Sequence, residues 1–111
     1  MDPVKFYKCL ADDTRLKSLL LISELEEACV CDLVTALEHD QPKISRHLAE
    51  LRKCDILQDE RRGKWVFYRL HAQLPTWAKD TILNTAKHNP VYFKEQLARL
   101  KACCEQSNSC C

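Results

Sequence analysis

Apolar positions recur at helical spacing along most of this chain, and in one stretch they alternate instead. Asp2-Pro3 is a cap followed by a proline at a first helical position, which predicts a short helix through about Cys9. In "ADDTRLKSLLLISEL", Asp12 or Asp13 caps a second helix with Leu16, Leu19 and Leu20 on its inner face. "CVCDLVTALE" predicts a third, with Val30, Leu33, Val34 and Leu37 inward. After the break "EHDQP", Asp40 can cap a fourth helix with Pro42 in its first turn and Ile44, Leu48 and Leu51 as its buried stripe. "ILQDERRGKWVFYRL" then changes period: Trp65 and Phe67 fall on one face, Val66 and Tyr68 on the other, and the only glycine, Gly63, sits where a hairpin turn needs a positive φ. Pro75 opens a fifth helix with Trp77, Ala78, Ile82, Leu83 and Ala86, and Pro90 a sixth with Phe93, Leu97 and Leu100. The expected fold is mainly α with a small β-hairpin wing: a winged helix-turn-helix ordered α1-α2-α3-α4-β-β-α5-α6.

The last nine residues, "CCEQSNSCC", have neither period. The chain is therefore expected to divide into a DNA-binding and dimerisation domain over 1–102 and a mobile cysteine-rich tail over 103–111. A length of 111 residues suits one small domain. No apolar run approaches the roughly 18 residues of a membrane span, and the start lacks a signal-peptide pattern. A cytoplasmic protein is expected, whose eight cysteines are reduced and available for metal or redox chemistry.

Net charge is only +1, but its distribution is uneven. Residues 41–70 carry eight Lys and Arg against four carboxylates, whereas residues 23–40 carry six carboxylates and no Lys or Arg. A local positive field on a capped helix behind a short turn points to double-stranded DNA. With Ile44, Leu48 and Leu51 inward, Gln41, Lys43, Arg46 and His47 form the outward set, and Ser45 at its boundary can donate to a phosphate. Gln suits adenine and Lys or Arg suit guanine, so the set can read sequence as well as charge. Arg61, Arg62 and Lys64 at the wing tip are expected on the backbone or in the minor groove. One such helix grips only a half-site, and the apolar first, fifth and sixth helices could bury against a second copy; a homodimer is expected.

Cys29 and Cys31 flank Val30 in front of this basic segment. At i and i+2 they lie about 200° apart on a regular helix, so joint binding of one ion requires the third helix to loosen or to begin later. Soft thiolates select Zn(II), Cd(II), Pb(II) or As(III) over Mg or Ca. Cys9 and Cys54 read as small apolar packing residues. Cys103, Cys104, Cys110 and Cys111 could form a second site, supply a third ligand, or be an uncommitted tail. His39, His71 and His88 have no close ligand spacing. An enzyme is not expected, since the chain lacks both a Gly-rich phosphate loop and a C-x-x-C redox motif, and no organic cofactor is implied.

The order "LADDTRLKSLLLISEL…CVCDLVTAL…QPKISRHLAELRK…LQDERRGKWVFYRL" resembles the ArsR/SmtB family of metal-responsive winged-helix repressors, in particular its arsenic-responsive branch, over about residues 4–88. The resemblance implies a homodimer that binds its operator and leaves it when As(III) binds cysteine thiolates, with Cys29 and Cys31 on the inducer-binding positions and residues 41–51 on the recognition helix. Cd(II) or Pb(II) as inducer is the alternative within the family, and a thiol-redox response is a further one. Val34 stands where a third arsenic-binding cysteine is common, which leaves the third position to a thiolate of the tail, to Cys9, or to a solvent or small-thiol ligand. Cys103 and Cys104 with Cys110 or Cys111 are a rival site, because some members bind arsenic near the C-terminus. The zinc branch's Asp-x-His pattern in the fifth helix is absent. Cys54-Asp55 replaces a small residue and Gly after the recognition helix, a departure expected to alter the turn only.

Overall fold

The computed structural model describes residues 1–105. Six helices and a three-stranded sheet follow in the order α1 (Pro3–Leu10), α2 (Asp13–Leu25), β1 (Ala28–Cys29), α3 (Val30–Leu37), α4 (Gln41–Lys53), β2 (Leu57–Arg62), β3 (Trp65–Leu70), α5 (Thr76–His88), a 3-10 turn at Pro90–Phe93, and α6 (Lys94–Glu105). Each of the three caps read from the sequence is made. Asp2 accepts from Val4 N–H, Asp12 from Arg15 N–H and Asp40 from Lys43 N–H, so each helix starts with one otherwise orphaned donor satisfied.

Four features differ from the pattern, the first being that the 3-10 turn Pro90–Phe93 delays the sixth helix, expected from Pro90, to Lys94. The hairpin β2–β3 gains a third strand, since β1 pairs antiparallel with β3 and sets Cys29 opposite Phe67. Two residues are too short to leave an alternating pattern, so only the tertiary partner makes them a strand. The third helix accordingly begins at Val30 instead of Cys29. Finally, α6 runs past the boundary expected at 102 and carries Cys103 and Cys104 to Glu105. The side chain of Cys104, and Cys110 and Cys111 entirely, lie outside the described residues.

The core is built from the predicted stripes. Leu19, Leu20, Leu21 and Ile22 of α2, Leu33 and Ala36 of α3, and Ile44, Leu48 and Leu51 of α4 are fully buried. Ile56 and Leu57 close the core from the sheet side, and Ala78, Ile82, Phe93 and Leu100 from the C-terminal helices. Recognition of α4 by the core is thus one-sided, and its opposite face is left to solvent. On the far side, α6 packs along α3, and Arg99 Nε donates to Ala36 O at 2.9 Å.

Among the described residues Glu26, Glu38, Asp55 and Gly63 have positive φ, and the last two make the turns at either end of β2. Gly63 (φ 64°) turns the hairpin between Arg62 and Trp65, as the sequence predicts. Asp55 (φ 58°) turns the chain from α4 into β2, a conformation Asp tolerates better than most residues but less well than Gly. Asp55 therefore makes this turn in the left-handed conformation without a glycine.

Candidate functional site

The outer face of α4 carries the predicted DNA-contacting set unevenly. Gln41 and Arg46 are exposed, whereas Lys43, Ser45 and His47 are half-buried. His47 is turned toward the start of α2. Arg15 Nε donates to its Nδ1 at 3.0 Å, and its Nε2 lies 3.9 Å from Asp12 Oδ2. Burial holds the imidazole below its ordinary pKa, with nearby Arg15, Lys43 and Arg46 acting in the same direction and Asp12 opposing them. His47 thus fastens α4 to α2. The helical wheel alone puts it on the outer face, and no local signal identifies Arg15, 32 residues away, as its partner.

At the wing, Arg61 and Lys64 are exposed, and Lys64 Nζ lies 4.9 Å from the Trp65 ring centroid. Arg62 is engaged within the protein. It makes two bonds to Glu27, at 3.1 and 2.8 Å, two to Glu60, and its guanidinium stands 4.5 Å from the centroid of Phe67. Those carboxylates push its pKa further up, and Arg62 in turn holds the Glu27 carboxyl below its ordinary value. The wing is therefore tied to the loop that leads into Cys29.

The thiol pair sits against this junction. Cys29 is buried in β1 with extended backbone (φ −90°, ψ 161°) and occupies the cap position of α3; Cys31 is half-buried in the first helical turn. Because the helix begins after Cys29, the 200° separation expected on a continuous helix does not apply. Both sulfurs are disulfide-bonded in this structure, and the reduced pair is the form that offers soft thiolate donors. One cleft is lined by Cys29, Cys31, Gln41, Ser45, Lys64 and Trp65, so these two cysteines border the start of α4 and the wing together.

Among the described residues, no three His, Cys, Asp or Glu side chains form a group able to hold a metal ion. Cys103, on the described part of α6, donates its Sγ–H to Asp32 Oδ1 at 3.2 Å beside the "CVCD" turn. Asp32 is itself 5% exposed, a buried carboxylate that the sequence gives no reason to single out. Cys9 and Cys54, far from that turn in sequence, stand together: their sulfurs are 3.0 Å apart.

Comparison with known proteins agrees with this architecture. Residues 12–59 match the model of the bacterial regulatory protein, arsR family. The chain is 45% identical over 109 residues to the arsenic resistance transcriptional regulator ArsR1 of Pseudomonas putida, covering 98% of this chain and 85% of that protein. It is 58% identical over 80 residues to the arsenical resistance operon repressor of Escherichia coli, covering 72% and 68%. The structure of reduced HlyU from Vibrio cholerae superposes with a TM-score of 0.70 at 29% identity, covering 78% of this chain and 86% of the other. No helix among the described residues is long and apolar enough to cross a membrane. With its six helices, three-stranded antiparallel wing and near-full-length match to these regulators, the chain belongs to the ArsR family of bacterial transcriptional regulators.

Proposed function

We propose that this protein is an arsenic(III)-responsive repressor that binds operator DNA as a homodimer and is released when As(III) binds the Cys29 and Cys31 thiolates. The observation that carries this reading is the shared cleft, in which both cysteines border Gln41 and Ser45 of α4 and Lys64 of the wing. In the DNA-bound form, Gln41, Lys43, Ser45 and Arg46 face the major groove and Arg61 and Lys64 the backbone, while His47 acts by holding α4 in place.

Release follows from mechanics local to that cleft. Cys29 is held by pairing of β1 with β3, and Cys31 by the first turn of α3. Drawing both sulfurs onto one acceptor alters that pairing or that turn, and with it the position of α4 relative to the wing. An inducer acts only through its preference for one of the two arrangements, and a thiolate chelate supplies that preference here. Once reduced, Cys29 and Cys31 supply two thiolates and leave a coordination position for Cys103, Cys104, Cys110 or Cys111, and the Cys103–Asp32 contact favours the tail as its source. Exposed Tyr7 of α1 and exposed Trp77 of α5 have ring centroids 6.4 Å apart, and Val4 and Leu83 on the same two helices are exposed as well; this exposed apolar surface supports dimerisation.

The test is fluorescence anisotropy of a labelled operator at fixed salt, titrated with arsenite and, separately, Cd(II). Cys29→Ser with Cys31→Ser should retain operator binding and lose release by arsenite. Normal release by that variant moves the sensor to the tail, and stronger release by Cd(II) than by arsenite in the parent chain assigns it to cadmium and lead. A full-length chain with Ser at 103, 104, 110 and 111 reports whether the tail completes the site.

A further inference from the structure

Cys9 and Cys54 have no part in the reading above. Cys9 lies on the inner side of α1 and is 5% exposed. Cys54 ends the recognition helix as its C-cap, with its N–H bonded to Glu50 O and Arg52 O. The Cys9 Sγ–H donates to Cys54 Sγ at 3.0 Å and to Glu50 O at 3.7 Å. Only Cys54 opens outward: it lines a surface cleft with Asp2, Lys5 and His71, which Cys9 does not reach. Burial, followed by the contact with Cys54, pushes the Cys9 thiol up to about 12.

We infer that Cys9 and Cys54 form a second, independent oxidation site, at which a hydroperoxide converts the pair to a disulfide joining α1 to the end of the recognition helix. The more accessible partner, half-buried Cys54, reacts first. The Cys54 thiolate attacks the peroxide, the O–O bond breaks, and Cys54 becomes a sulfenic acid as hydroxide leaves. Cys9 sulfur then attacks the sulfenic sulfur, a molecule of water departs with the Cys9 proton, and the S–S bond forms. Two thiols lose two electrons and one peroxide gains them. The sulfurs need to close by only about 1 Å to reach the disulfide bond length of about 2.05 Å. Neither cysteine lies on the Cys29–Cys31 cleft, so the reaction is separate from inducer binding.

Peptide mapping of the full-length reduced chain tests this. After treatment with hydrogen peroxide, alkylation and trypsin, the peptides spanning residues 9–15 and 54–61 should appear cross-linked, and neither contains another cysteine. The cross-link should persist in Cys29→Ser with Cys31→Ser, which fails only the arsenite assay. In Cys9→Ser the resolving thiol is gone, and Cys54 should accumulate as a sulfenic acid labelled by dimedone. Recovery of both peptides as alkylated monomers once the other cysteines have oxidised would overturn the inference, as would an unlabelled Cys54 in Cys9→Ser.

Discussion

Replacing Asp40 isolates the contribution of one side chain to the start of the recognition helix. Its Oδ1 accepts from Lys43 N–H at 2.9 Å, and it is the side-chain cap of α4. Asp40→Ala leaves that donor to water and removes a negative charge from the positive end of the helix. Loss of such a cap costs about 1 kcal/mol, and loss of the charge at an exposed N-terminus about 0.3–1 kcal/mol. Asp40→Asn keeps a capping oxygen and loses only the charge. In urea unfolding at fixed protein concentration, Ala should therefore be less stable than Asn by about 1 kcal/mol, a factor of roughly 5 in the folding equilibrium, with an unchanged denaturant slope. Both variants remove the same charge beside the DNA face, so their operator affinities should rise together at low salt and converge at high salt. Equal destabilisation by Ala and Asn would refute the capping argument, because the hydrogen bond is the only feature that distinguishes them.

Two further outcomes follow from the site's electrostatics. His47 is held below its ordinary pKa of about 6.5, so the folded protein binds fewer protons there than the unfolded chain. Its contribution to stability is complete above that value and declines as pH falls from about 6.5 toward the lowered folded value; His47→Gln should flatten the fall in melting temperature between pH 7.5 and 5.5, and an unaltered profile would exclude His47 as its source. Glu27→Gln weakens the charge-assisted bonds holding Arg62, which should make the guanidinium available to a phosphate and steepen the log–log salt dependence of operator binding by up to about one unit. An unchanged slope would show that Glu27 does not keep Arg62 from the DNA.

The features legible in the sequence are those with a local cause. Asp2, Asp12 and Asp40 cap their helices because a short acidic side chain reaches the N–H groups of the turn that follows. The burial of Ile44, Leu48 and Leu51 follows from helical spacing, and the turn at Gly63 from a backbone conformation glycine adopts without strain. The adjacency of "CVC" and the basic segment also carried the family resemblance. What only the tertiary structure decided are pairings between residues distant in the chain. Strand β1 exists because β3 offers it hydrogen-bonding groups, and that strand delays α3 and gives Cys29 an extended backbone. Arg15 turns His47 inward, Glu27 holds Arg62, Asp32 meets Cys103, and Cys9 meets Cys54. Each of these contacts spans more than thirty residues, beyond the reach of propensity or periodicity. Those signals specify which face of an element is buried, whereas the choice of neighbour on that face arises when the whole core packs.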